Sequence, residues 1–182
     1  LTPEQLVQRL DSVFSAFDGL AQQHGLEKIK TMGDAYMAVA GAPFPQQDHA
    51  VLATHMALDM IERLGQLEPA LQLRIGLASG PVVAGVIGRS KLSYDLWGAT
   101  VNLASRMESH GIPGRVQVSQ STRDLLAGRF AVEDRGAERG VGVAVLVERH
   151  RHEPPRAAVG LLRDERGLAD EVRLGEIDEP VE

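Results

Sequence analysis

Two short apolar runs, Leu26–Met32 and Ala35–Ala40, are separated only by Gly33 and Asp34. A Gly-Asp pair between strand-like runs is turn chemistry, because Gly supplies positive φ and Asp bonds its own backbone. The spacing therefore predicts a β-hairpin, and a hairpin must lay an apolar face on something. The preceding stretch, Thr2–Gly25, offers that partner: Leu6, Leu10, Val13, Phe14, Phe17, Leu20 and Ala21 recur at helical spacing. Thr2, Pro3 and Gln5 fit an N-cap, a first-turn proline and a capping box, and Gly25 fits a C-terminal stop. Asp34 is open to two readings at this point, a turn residue or a carboxylate held at a hairpin tip for a metal.

Further along, a second helix is expected over 48–65, opening at Asp48. "LQLRIGLASG" alternates Leu71, Leu73, Ile75 and Leu77 as a strand, and "PVVAGVIG" reads as another, closed by Gly88. A third helix is expected from Ala99 to Gly111, then a short strand and a helix in "GRVQVSQSTRDLL", then a last strand in "GVGVAVLVE". This order implies an α+β sheet with helices packed on it, not a doubly wound repeat. One domain over 1–149 is expected. Residues 150–182 lose periodicity and gain charge and proline, which reads as a flexible tail, helical at most around 157–174.

Charge excludes some classes of function. The net charge is −6, and residues 151–182 hold five Arg against nine Asp and Glu. Neither part has the basic excess that gripping a nucleic-acid backbone requires. No run of 18 apolar residues suggests a membrane span. The absence of cysteine rules out disulfides and thiolate sites and suits a reducing cytoplasm. The chain opens at Leu1, so it is expected to be a piece of something longer.

Five polar residues interrupt structural segments: Lys30, Asp34, Asp95, Asn102 and Arg106. Asn102 and Arg106 are four apart on one helix and share a face. Asp95 lies just ahead of that helix, and its side chain is expected to point back toward the helix N-terminus. Each also has a plain reading: Lys30 and Asp95 as solvated charges, Arg106 as an exposed helix arginine beside Glu108. His49 and His55 read as packing or surface residues, and Trp97 as core.

Taken together, "EKIKTMGDAYMAVAGAP", "LRIGLASGPVVAGVIG" and "YDLWGATVNLASRMES" resemble the catalytic domain of class III nucleotidyl cyclases over roughly residues 1–130. The resemblance implies a ferredoxin-like fold and a head-to-tail dimer, most simply a homodimer, with sites at the interface. It implies conversion of ATP to cyclic AMP and pyrophosphate with Mg2+ or Mn2+, two ions per site. Asp34 matches a metal ligand, Lys30 and Asp95 the readers of the purine, Asn102 the residue that orients ribose, and Arg106 the one that stabilises the reacting phosphate. Lys30 and Asp34 would then serve different sites. Arg139 falls near the place of a phosphate-contacting lysine.

Two departures accompany the match. The family's first metal aspartate lies on a strand before the opening helix, and neither is found in this chain. That strand belongs near the middle of the sheet, so an unpaired edge is expected. From Glu138 onward the match thins out. The competing reading is a non-catalytic module that dimerises or binds nucleotide.

Overall fold

A computed structural model describes residues 2–88, 92–138, 141–149 and 169–174. The first helix, α1 (Pro3–His24), starts as its capping box predicts: Gln5 N–H donates to Thr2 Oγ1 at 3.3 Å and Thr2 N–H to Gln5 Oε1 at 2.9 Å. It ends at Gly25 in the left-handed conformation. The hairpin follows as β1 (Glu27–Met32) and β2 (Ala35–Ala40), closed at Met32↔Ala35, so that Gly33 and Asp34 are the whole loop. Gly33 takes φ +60°, the freedom such a turn needs.

After α2 (His49–Leu67) come β3 (Arg74–Gly80), β4 (Val83–Ile87), β5 (Ser93–Trp97) and α3 (Ala99–Ser109). The chain continues through β6 (Arg115–Ser119), α4 (Gln120–Leu126), β7 (Phe130–Glu138), β8 (Val141–Arg149) and β9 (Ala169–Leu174). Seven strands form one sheet in the order β1-β2-β9-β3-β6-β8-β7. Strands β4 and β5 pair only with each other, as a separate two-stranded ribbon.

The core lies between the sheet and α1 and α2. Phe17, Tyr36, Met56, Met60, Ile75, Leu77 and Val118 are fully buried there. A smaller cluster on the opposite face joins Met37 and Val39 of β2 to Leu96 of β5. Strand β2 is buried at every position, and β3 from Ile75 to Ser79, because both lie inside a sheet covered on two faces. The alternation read in Leu71–Leu77 therefore does not mark an exposed face, and Leu71 and Leu73 pack before the strand begins.

Several expectations are corrected. Strands β5 and β7 fall where no strand was expected, and "GVGVAVLVE" is not the last strand. Trp97 is 37% exposed on β5 and is not core. Asp48 does not cap α2 with its side chain but accepts from Arg129 at 3.2 Å. The largest departure is in the C-terminal segment. Residues 169–174 are neither helix nor tail: they form β9, antiparallel to both β2 and β3 in the middle of the sheet. The expected unpaired edge is filled. The remainder of 150–182 lies outside the described residues.

Candidate active site

A β-bulge makes the first part of the site. In a regular strand Lys28 and Lys30 would share a face. The register of β1 against β2 slips between them, with Lys28 opposite Ala38 and Lys30 opposite Met37, leaving Ile29 as the extra residue. The two lysines therefore part company. Lys28 turns to α1, with its Nζ 2.7 Å from Asp18 and 5.3 Å from the centroid of the Tyr36 ring. Lys30 turns the other way, and its Nζ donates to Asp95 Oδ2 of β5 at 2.6 Å.

Asp95 is thus on strand β5, which ends at Trp97 with only Gly98 between it and α3. Its second oxygen, Oδ1, accepts from the Leu96 N–H at 2.8 Å. Both oxygens are thus engaged, by Lys30 Nζ and the Leu96 N–H, and no hydrogen bond from α3 to Asp95 is among them. Partial burial works to raise the Asp95 pKa, but the bonds from Lys30 and Leu96 outweigh it and hold the carboxyl below its usual value. An ionised acceptor stands beside a charged donor.

Helix α3 starts just past β5, and Asn102 and Arg106, four residues apart, lie on one face of it. Asn102 is exposed and Arg106 half-buried. Among the described residues neither side chain makes a hydrogen bond or ion pair. Glu108, the plain-reading neighbour of Arg106, is buried and accepts from Arg74 Nε at 3.0 Å, which ties the end of α3 to the start of β3. The helix also lies directly on β3. A Cβ at Gly76 would come within 2.2 Å of Glu108 N and 2.4 Å of Ala104 O.

Asp34 sits elsewhere. It lines a cavity of about 210 Å3 on the α1 side of the hairpin, with Arg9, Phe14, Phe17, Leu64 and Leu73. Lys30 and Asp34 are close in sequence, but Lys30 meets Asp95 of β5 whereas Asp34 lines the cavity beside α1. No group of three or more His, Asp or Glu side chains converges anywhere among the described residues. A pair of divalent ions needs more oxygen ligands than Asp34 supplies, so the described residues do not by themselves fit the implied Mg2+ or Mn2+ pair. Arg139 lies outside the described residues. The bulge at Ile29 and the Arg74–Glu108 tie were not foreseen. A lysine repeated at i, i+2 with different surroundings is the only trace of the bulge in the sequence.

Residues 1–143 match the family model for the adenylate and guanylate cyclase catalytic domain. The chain belongs to that family. An adenylate cyclase of Mycobacterium tuberculosis is 48% identical over 138 residues, covering 74% of this chain and 31% of the relative. The chain therefore spans about a third of that protein's length. Among solved structures, the guanylate cyclase domain of RhGC from Catenaria anguillulae, in complex with GTP, aligns with TM-score 0.76 at 33% identity, covering 82% of this chain and 87% of that one. The adenylyl cyclase CyaB from P. aeruginosa aligns with TM-score 0.77 at 27% identity, covering 83% and 86%. The fold is that of class III cyclases, and nucleotidyl cyclisation is the family's chemistry. Cyclases of both base preferences stand among the relatives.

Proposed function

We propose that this domain is an adenylate cyclase that turns ATP into 3′,5′-cyclic AMP and pyrophosphate at the interface of two copies. The Lys30–Asp95 pair carries the reading. Adenine offers an acceptor at N1 and a donor at its 6-amino group. Lys30 only donates and ionised Asp95 only accepts, so the pair matches adenine edge to edge. Guanine presents the opposite directions at both positions and would leave two partly buried charged groups mispaired.

The remaining roles are those that the resemblance to class III cyclases implies. Asn102, exposed on α3, can orient the ribose by its amide. The 3′-oxygen attacks the α-phosphorus as pyrophosphate leaves, and Arg106 offers a planar fork to the phosphoryl oxygens as they gain charge. Asp34 is assigned to a metal on the opposite side of the hairpin, its co-ligands being outside the described residues. Because the α1 side and the β5 side of one chain hold different parts, a second copy is needed to assemble them. The β4–β5 ribbon suits that role: Val83, Val86 and Ile87 on it and Leu92 just ahead of β5 are each at least 60% exposed, and burying exposed apolar side chains favours association.

A second reading, a module that binds nucleotide without turnover, is favoured by the incomplete carboxylate set. The separating experiment measures cyclic AMP and cyclic GMP made with Mn2+ by this chain and by a form extended upstream with an aspartate-bearing strand. Cyclic AMP from either form establishes the enzyme. Tight nucleotide binding without product from both establishes the module. In either case the double exchange Lys30→Glu with Asp95→Lys should move binding preference from ATP toward GTP, read with fluorescent analogues. Unchanged preference would remove the pair from base recognition.

A further inference from the structure

Arg106 is assigned above to the reacting phosphate, yet no side chain among the described residues holds its guanidinium. Its place is therefore set by the backbone from which it grows, the last turn of α3. That turn is secured at several points. Glu108, two residues on, is 4% exposed, and its Oε1 accepts from Arg74 Nε at 3.0 Å. The Arg106 carbonyl accepts from the His110 N–H at 3.2 Å, and the Gly111 N–H donates to the Glu108 carbonyl at 2.7 Å, which ends the helix.

The hold on Glu108 is double. Arg74 and Gly76 are two apart on β3 and share a face. Gly76 lets the Glu108 main chain lie against the strand, where a Cβ would come within 2.2 Å of its nitrogen. Arg74 grips the side chain of the same residue. A buried ion pair adds little net stability over an apolar pair of like volume. What it supplies is direction, because an Nε–Oε1 bond fixes both the height and the rotation of a helix that apolar contacts would let slide. Arg106 and Glu108 lie about 200° apart around the helix. Rolling α3 on the sheet would therefore carry the long Arg106 side chain through a wider arc than the backbone.

We propose that Arg74 and Glu108 are positioning residues for Arg106: their pair stops α3 from rolling on β3 and holds the guanidinium where the phosphoryl group gains charge. This rests on the role given to Arg106 under the proposed function.

The test is made in the form extended upstream by an aspartate-bearing strand. Glu108→Gln leaves Arg74 charged beside a weaker acceptor and should melt lower. Arg74→Met combined with Glu108→Gln removes both charges, a replacement that buried pairs commonly tolerate, and should melt near the parent. Both variants should nevertheless lower kcat on the order of tenfold, with KM changed less than about twofold, because a misplaced group costs turnover without losing ground-state contacts. In an Arg106→Ala background neither change should slow turnover further, since residues that act through one another are not additive. Arg135→Ala is the control. Arg135 Nη1 donates to Gln117 Oε1 at 2.5 Å and to the His110 carbonyl at 3.4 Å, so it braces the same helix end beyond Glu108. Its loss should lower the melting temperature and leave kcat unchanged.

Additive losses in the Arg106→Ala background would overturn the proposal. So would a parental kcat in the neutral double variant, or an Arg135→Ala variant as slow as the others. If no form makes cyclic nucleotide, or if Arg106→Ala keeps the parental rate, the role given to Arg106 has failed separately. Crystal structures of the parent and the neutral double variant then decide: an Arg106 guanidinium displaced by about 1 Å or more supports positioning, and an unmoved one overturns it.

Discussion

At the scale of single residues, the ion pair of Lys30 and Asp95, proposed above to read the base, is also a small source of stability. The Asp95 carboxyl is held below its usual pKa, burial being outweighed by its two hydrogen bonds. A group with a depressed folded-state pKa stabilises above its unfolded value and loses that contribution as pH falls through the folded one. Asp95→Asn should therefore be less stable than the parent at pH 7, and the gap should close as pH falls below about 4. Denaturant midpoints of both proteins at pH 7 and pH 3 check this; a gap that widens in acid would contradict it. Arg106→Ala, made in the strand-extended form, should lower kcat on the order of 100-fold with little change in KM, if its contact forms as charge develops. A matched rise in KM with kcat unchanged would instead mean ordinary ground-state binding. Both residues were legible because they stand out by type in apolar or helical surroundings. Their partners were not: the sequence spaces Lys30 and Asp95 far apart, and only the folded ribbon brings β5 beside β1. The sharing of Glu108 with Arg74, not Arg106, depended on the same long-range placement.

Elements set where those residues can work, and one glycine shows how closely. Helix α3 rests on β3 with no room for a methyl group at Gly76, because the obstructing atoms are helix backbone and cannot rotate away. Gly76→Ala should cost about 1–3 kcal/mol or more through forced separation of helix and strand. It should also weaken nucleotide binding, since Asn102 and Arg106 ride on that helix. Thermal melts with a nucleotide titration on the same variant test both effects; a variant that melts and binds like the parent would mean that α3 is not seated as described. Element identity was largely readable: α1 with its capping box, the Gly33–Asp34 turn and α3 all follow from local chemistry. The misses share a cause. Strands β5 and β7 are mostly half-buried or exposed and carry charged residues, so periodicity gave no strong signal. The bulge in β1 leaves the local composition untouched while reversing the direction of Lys30. Strand β9 is the extreme case, since nothing in ADEVRL announces a central strand and only the gap left by its neighbours explains its place.

For the whole molecule, the arrangement of parts argues that one copy is not a complete catalyst. Asp34 faces the α1 side of the hairpin, with Phe14 and Arg9, whereas Lys30 reaches across the other side to Asp95. Asn102 and Arg106 follow the Asp95 strand directly in the chain, on α3, and are grouped with it here. An isologous pair of copies can set the Asp34 side of one against the Arg106 side of the other, giving two equivalent sites. The exposed apolar side chains of the β4–β5 ribbon are where such a pair would gain contact area, and Val86→Asp should lower association without touching any site residue. Complementation gives the sharper prediction. In the strand-extended form, Asp34→Asn and Arg106→Ala should each be nearly inactive alone. Mixed in equal amounts and allowed to exchange, half of the pairs contain one copy of each variant, and in such a pair one site carries both defects and the other neither. Activity should then recover to about a quarter of the parent level, because half of the pairs each have one of two sites intact. Recovery to that level, lost again on adding Val86→Asp to both variants, would fix the assignment of Asp34 and Arg106 to different copies. No recovery, with mixed pairs demonstrated by mass spectrometry, would place both residues in a site built by a single chain.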